Sequence, residues 1–175
     1  MSQDFDSSTF PLAYLITFRC YGTWLHGDTR GSMDRRGHNI YGTPRIPPNQ
    51  KLESSDATRL KCAPPTLDAA KRAAVEAAIR EVCEYRGFRL RAVNARTNHV
   101  HVVVAAGCRP EGVMNAFKSY ATRKLRELEL LPLNAKPWAR HGSTIYLWKS
   151  QHVETAIEYV LNGQGDELPR FIDEL

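Results

Sequence analysis

Residues 99–106, His-Val-His-Val-Val-Val-Ala-Ala, constrain the fold more than any other stretch of the chain. β-Branched valines favour extended backbone, and side chains two apart on a strand share a face. Val100, Val102 and Val104 therefore line one side, and His99 and His101 line the other. A strand with one dry face has its register pinned, because a slip of one residue would carry the imidazoles into the core. The segment before it, 88–97 (FRLRAVNART), also reads as a strand, with Thr97-Asn98 as the tight connection. The rest of the chain has to pack around this hairpin.

Two amphipathic helices flank the hairpin. The first is expected over 66–86, with Thr66 as N-cap after Pro65, an apolar stripe of Leu67, Ala70, Ala74, Val75, Ala78, Ile79 and Val82, and Gly87 as its stop. The second is expected over 110–130, opened by Pro110 and closed by Pro132, with Val113, Phe117, Tyr120, Ala121, Leu125 and Leu128 buried. An earlier strand spans 12–21 (LAYLITFRCY), and its two apolar faces place it centrally in a sheet. A short strand at 144–148 and a helix from about 151 to 162 complete the chain. The order strand, helix, strand, strand, helix, strand is the ferredoxin-like split β-α-β pattern, an α+β antiparallel sheet with helices on one face, plus one C-terminal helix. The apolar side of the hairpin then packs on the helices and leaves the histidines on the open face. Between the first strand and first helix, residues 22–65 read as a long irregular insertion rich in Gly and Pro. Over 26–51, Arg30, Arg35, Arg36, Arg45 and Lys51 outnumber Asp28 and Asp34. The insertion is either a solvated surface loop or a flap that touches nucleic acid.

At 175 residues the chain is about one domain, long enough to bury a core without metal or disulfide staples. Mean hydropathy is −0.43, and no apolar run approaches the ~18 residues of a membrane span. The acidic start, Met-Ser-Gln-Asp-Phe-Asp, has no apolar signal segment. Cys20, Cys62, Cys83 and Cys108 are scattered and form no C-x-x-C, which argues against a zinc knuckle and against a dense disulfide framework. The expectation is a soluble, cytoplasmic protein with no membrane partner. A net charge of +5 permits a polyanionic partner.

Two imidazoles side by side on a strand can hold one divalent cation, though His-x-His alone also describes two surface histidines. The last helix adds a third element. Val153, Ala156, Ile157, Val160 and Leu161 form its apolar face, and Tyr159 lies roughly 120° from that stripe at about 100° per residue. A tyrosine so placed is not a core residue, unlike Tyr120. Asn162 and Gln164 follow it, and carboxamide oxygens coordinate hard cations. A tyrosine hydroxyl titrates near ~10. It needs activation to attack phosphorus, and a cation on the phosphate can withdraw charge and orient that attack.

Thr97-Asn98-His99-Val100-His101-Val102-Val103-Val104 resembles the histidine–hydrophobic–histidine motif of the HUH single-tyrosine transposases, which include the REP-associated tyrosine transposases. Glu158-Tyr159-Val160-Leu161-Asn162-Gly163-Gln164 resembles their tyrosine helix, and Trp138 and Trp148 stand where the family often has aromatics. The resemblance runs from Tyr14 to Gln164. It implies an enzyme that cleaves and rejoins single-stranded DNA at hairpin-bearing ends through a 5′-phosphotyrosine link, without ATP. It implies Tyr159 as nucleophile, with Mg²⁺ or Mn²⁺ held by His99, His101 and a carboxamide, and a homodimer. Relatives often carry the carboxamide four residues after the tyrosine, where this chain has Gly163. Asn162-Gly163 is a helix stop, with Gly163 expected in the left-handed conformation. The turn would bring Gln164 back toward the histidines, so Gln164 is preferred as third ligand, with Asn162 as rival. Arg35, Arg36, Lys118, Arg123, Lys124 and Arg126 are the expected DNA-binding cations, although a charged helix face is often only solvated. His152, seven residues before Tyr159, shares its helix face.

Three other readings compete. An RRM-like nucleic-acid binder needs aromatics on the central strands, where this chain has Val102, Val103 and Val104. A two-histidine phosphodiesterase needs a second His-x-Ser/Thr on a strand; His141-Gly142-Ser143 comes before one. A domesticated or non-catalytic single-stranded nucleic-acid-binding protein on the same fold remains the alternative.

Overall fold

The computed structural model describes residues 10–25 and 47–168. Its elements in chain order are β1 (Ala13–Cys20), α1 (Gln50–Thr58), α2 (Ala69–Arg86), β2 (Arg89–Ala95), β3 (His99–Ala105), α3 (Pro110–Glu127), β4 (Trp138–Leu147) and α4 (Ser150–Asn162). The four strands form one antiparallel sheet in the order β2-β3-β1-β4. This is the expected ferredoxin-like α+β arrangement, with the two apolar strands in the middle. None of the described helices is long and apolar enough to cross a membrane.

Alternation along the central strands divides the core in two. Tyr14, Ile16 and Phe18 of β1 and Val100, Val102 and Val104 of β3 pack against α2 and α3. Ala13 of β1, Val103 of β3 and Leu147 of β4 pack instead with Ala156 and Val160 of α4. The histidine face of the sheet is therefore partly covered, not open as expected. Ala156 and Val160 are the inward residues of α4, and Leu161, expected on that face, is exposed. The Asn94 side chain on β2 donates to the Val160 carbonyl at 2.8 Å and ties the last turn of the helix to the sheet.

Other departures are local. Asp68, not Thr66, caps α2, because its carboxylate accepts the Lys71 amide at 2.9 Å. Gly87 ends α2 at φ +69, as its left-handed tolerance predicts. The stretch expected to be irregular carries α1, capped by Asn49, with no buried residue. Residues 26–46, including Arg35 and Arg36, lie outside the described part. Leu128 is exposed beyond the end of α3. β4 is longer than expected and begins at Trp138, whose indole packs edge-on against Phe18 at 4.9 Å.

Candidate active site

The register of β1 against β3 sets two residues beside the histidines. Thr17 stands opposite His101, and Arg19 opposite His99. Paired residues of an antiparallel ladder project on the same side, so all four belong to the α4 face. Thr17 Oγ1 lies 2.7 Å from His101 Nδ1. Asn98 Oδ1 lies 2.6 Å from His99 Nδ1. Each ring is thus held through its Nδ1, and the two centroids are 4.7 Å apart.

His101 is 5% exposed, and among the described residues its Nε2 is buried without a hydrogen-bond partner. A buried polar atom left unpaired is costly unless something else satisfies it. Burial pushes the His101 pKa down to about 4, helped by the positive charge of His99, Arg19 and Arg96; the Gln164 side chain works in the opposite sense. Gln164 is therefore within reach of the ring, though Nε2 gains no hydrogen bond of good geometry from it. The ring is neutral at physiological pH, the form in which imidazole binds a metal.

Tyr159 reaches the same place from α4. Its ring lies 5.5 Å from that of His101, nearly edge-on at 72°, and it is 44% exposed. The nucleophile candidate sits at the rim and the histidine beneath it. α4 ends at Asn162, as its Asn-Gly signal predicts, but Gly163 has φ −92, and the left-handed residue is Gly165 at φ +80. Gly163 is needed there for space: a Cβ on it would lie 2.8 Å from the Tyr159 carbonyl oxygen and 3.0 Å from the ring's Cδ2. The turn carries Gln164 back, and its amide nitrogen donates to the Tyr159 carbonyl at 3.0 Å. Asn162 is turned along the helix, where it donates to Glu158 at 2.8 Å. Structure and spacing agree in bringing His99, His101, Tyr159 and Gln164 together. A polar cavity of about 680 Å³ opens beside Gln164, lined by Arg72, Asn94, Arg96 and Asn162 among others.

The expected basic face of α3 is not beside this cluster. Lys118 is buried, not solvent-facing, and its ammonium donates to the carbonyls of Ala139, Arg140 and His141 at 2.9, 3.5 and 3.2 Å. The reason is its place between Phe117 and Ala121 on the inward side of the helix, where the β4 carbonyls accept from it. Arg123 and Lys124 pair with Glu81 of α2, and Arg126 leans on the Ala135 carbonyl. These residues sit in the α2–α3 layer, across the sheet from the histidines. His152 is exposed in the first turn of α4.

Sequence reasoning missed Thr17, Arg19 and Asn98 as supporting residues. A signal was available in β1. Leu15, Thr17 and Arg19 alternate with the core residues Ile16 and Phe18, so the two polar side chains share a face at the end of an otherwise apolar strand.

A chemical inventory follows from the geometry. Among the described residues no cluster of three or more His, Cys, Asp or Glu could hold a metal. A cation here would depend on two ring nitrogens and a carboxamide oxygen, a mixed set that falls short of the four protein ligands of a closed structural zinc site.

Comparison with known proteins gives a family match. Residues 59–161 match the family model described as "Transposase IS200 like". None of the curated proteins matches the chain. Two solved structures are similar over most of its length. One is a REP-associated tyrosine transposase bound to a REP hairpin, at TM-score 0.46 and 13% identity, covering 91% of this chain and 70% of that one. The other is a candidate transposase from Deinococcus radiodurans, at TM-score 0.46 and 11% identity, covering 94% and 98%.

Proposed function

Because the chain belongs to the IS200-like transposase family, we propose that it cleaves and rejoins single-stranded DNA through Tyr159. The observation that carries this reading is the His101 Nε2, buried and without a hydrogen-bond partner among the described residues, beneath the half-exposed Tyr159 ring. His101, His99 and Gln164 would hold Mg²⁺ or Mn²⁺, which when bound polarises an oxygen of the scissile phosphate. Thr17 and Asn98 hold the two imidazoles in orientation through Nδ1.

The reaction uses one protein nucleophile and no external energy source. Tyr159 Oη attacks phosphorus, the Oη–P bond forms, and the P–O3′ bond breaks. The phenolic proton passes to water, and the departing 3′ oxygen takes up a proton as a free 3′-hydroxyl. A 3′-hydroxyl of a second strand then attacks the phosphotyrosine and restores Tyr159. The number of phosphoester bonds is conserved in each step. The exposure of Tyr159 suits a polymeric substrate that arrives from solvent.

The substrate we propose is a strand with a hairpin and an unpaired flank, and the protein partner a second copy of this chain. The relative solved with a REP hairpin is consistent with such a substrate. β4 is an edge strand carrying exposed Ile145 and Tyr146, an edge on which a second copy can pair.

The test is a denaturing gel. The protein is incubated with Mn²⁺ and a pool of hairpin oligonucleotides with randomised single-stranded flanks. A covalent protein–DNA band is expected, and sequencing the captured DNA gives the cleavage position. Retained DNA with no covalent band from the wild-type chain would refute the enzymatic reading in favour of a binding protein.

A further inference from the structure

The polar cavity of about 680 Å³ beside Gln164 lies at one edge of the sheet. β2 is an edge strand, and the outward amides of an edge strand lack a ladder partner. The Ala95 amide is satisfied from α2 instead, where Glu76 Oε1 accepts from it at 2.9 Å. One residue earlier, Asn94 stands opposite His101, so the two side chains project on the same side of the sheet. Asn162 and Gln164, at the end of α4 and in the turn after it, form the facing wall. The cavity thus adjoins the histidine cluster, one strand away from His101. The polar atoms that its walls leave over are largely acceptors. A carboxylate only accepts, and a carboxamide carries one oxygen beside its NH₂. Asn94 Nδ2 donates to the Val160 carbonyl at 2.8 Å, Asn162 Nδ2 to Glu158 at 2.8 Å, and Gln164 Nε2 to the Tyr159 carbonyl at 3.0 Å. Each of those partners is an acceptor, which decides how each amide is turned. Among the described residues, Asn94 Oδ1 and Glu76 Oε2 accept no hydrogen bond.

We propose that this cavity takes the unpaired nucleobase next to the phosphate that Tyr159 attacks, and that Glu76 and Asn94 select a base with an exocyclic amine. The assignment rests on the tyrosine mechanism above and names the part of that same site which reads sequence. Adenine, cytosine and guanine each carry an amine that donates to such oxygens, as a carboxylate accepts from the cytosine amine in duplex readout. Thymine has no amine, and its pairing edge carries a carbonyl oxygen on either side of one N–H. A carbonyl set against a carboxylate leaves both acceptors unpaired, the costly arrangement for groups withdrawn from water. The volume falls within the roughly 300–1,000 Å³ of small-ligand sites. Arg72 and Arg96 also line the cavity, and each donates to a backbone carbonyl, of Leu67 at 3.0 Å and of Asp166 at 2.9 Å. Their positive charge suits the phosphodiester that carries the base into the cavity.

The experiment incubates the wild-type chain and Glu76→Gln with Mn²⁺ and the hairpin pool with randomised flanks. Two fractions are sequenced, the DNA retained in a native gel and the DNA captured covalently. The substitution keeps an oxygen for the Ala95 amide and puts an NH₂ in place of the second carboxylate oxygen. The wild-type chain is expected to deplete thymine about tenfold at a position adjoining the cut, the scale of one base-edge contact. In Glu76→Gln the depletion should shrink to within about twofold or invert, with selection at other flank positions unchanged, because distant contacts are independent. Equal use of all four bases beside the cut by the wild-type chain would overturn the proposal. So would a thymine depletion that Glu76→Gln leaves intact. A second measurement needs no folded variant. The selected base is replaced by its analogue without the amine (inosine for guanine, nebularine for adenine, zebularine for cytosine), and binding is followed by fluorescence anisotropy. The wild-type chain should bind the analogue about tenfold more weakly, and equal binding would overturn the proposal. Retention needs no cleavage. Thymine depletion in the retained DNA with no covalent band therefore refutes the tyrosine mechanism while supporting the base selection, so the two failures are distinguishable.

Discussion

Replacing Thr17 by Val tests whether His101 is a metal ligand held in one tautomer. The change keeps the shape of the side chain and removes one hydroxyl, 2.7 Å from His101 Nδ1. A ligating Nε2 must present a lone pair, so the ring proton has to sit on Nδ1 and be donated to Thr17 Oγ1. Without the hydroxyl, the buried ring loses its reason to keep the proton there. The stability cost is that of one neutral hydrogen bond, about 0.5–1.5 kcal/mol. For a chain of this size each kcal/mol lowers the midpoint of thermal unfolding by roughly 2–4 °C. The effect on metal binding should be larger, since loss of a ligand-orienting partner typically costs 10–100-fold in affinity, or about 1.4–2.7 kcal/mol. The assay is a Mn²⁺ titration of the full chain followed by electron paramagnetic resonance, beside calorimetric unfolding of the same samples. A Mn²⁺ affinity unchanged within twofold in Thr17→Val, with binding lost in His101→Ala, would refute the tautomer argument. Unchanged affinity in both variants would refute a metal at His101.

Tyr159→Phe should form no covalent adduct while keeping its unfolding midpoint within about 1 °C, because the half-exposed hydroxyl is not part of the core; an adduct from this variant would place the nucleophile elsewhere. Gly163→Ala puts a methyl 2.8 Å from the Tyr159 carbonyl oxygen, the same atom that accepts from Gln164 at 3.0 Å. The tyrosine or the carboxamide must move, and adduct formation should slow by about 10–100-fold, since a displacement of order 1 Å at a reacting group has that effect; a rate equal to wild type would show that the turn has no influence on Tyr159. Asp68→Ala removes the N-cap of α2 and should cost about 1 kcal/mol at neutral pH. Hydrogen bonds from the Lys71 backbone and side chain hold the Asp68 carboxyl below its usual range. A depressed acid stabilises the fold above its unfolded value, near ~3.9, and loses that contribution as pH falls through the lowered folded value. The gap between wild type and Asp68→Ala in calorimetric stability should therefore close in acid; a gap constant from pH 7 to pH 2 would contradict the cap.

Apart from α1, the order of elements was legible in the sequence, as was the meeting of His99, His101, Tyr159 and Gln164, because both follow from short periods. Valines two apart decide which way His99 and His101 point, and an Asn-Gly pair ends α4 early enough for Gln164 to fold back. Burial was not legible from the same pattern. One helix stripe, Ala156 and Val160, covers the histidine face and turns His101 from an exposed residue into a buried one. That outcome depends on which side of the sheet the last helix takes, and no local period encodes it. Lys118 misled for a related reason. A lysine one position after Phe117 reads as the edge of a stripe, and only the carbonyls of β4 across from it make its burial affordable. Arg19 and Thr17 were readable, but only by treating polar residues on an apolar strand as signals in their own right.

The division between the buried His101 and the half-exposed Tyr159 has its origin in how α4 is fastened. Val160, the residue next to Tyr159, points into the sheet with no exposed surface, and its carbonyl receives the Asn94 side chain. In a helix, adjacent positions differ by about 100°. Anchoring residue 160 from both its side chain and its carbonyl therefore holds residue 159 at the rim. The Tyr159 carbonyl accepts in turn from the Gly163 amide and the Gln164 carboxamide. The backbone of the nucleophile candidate is fixed from the sheet side and from the C-terminal turn, while its ring projects past His101 toward solvent. In the proposed reaction, a tyrosine held in this way would meet a flexible DNA strand with little reorganisation of its own, which is the condition under which proximity lowers a barrier.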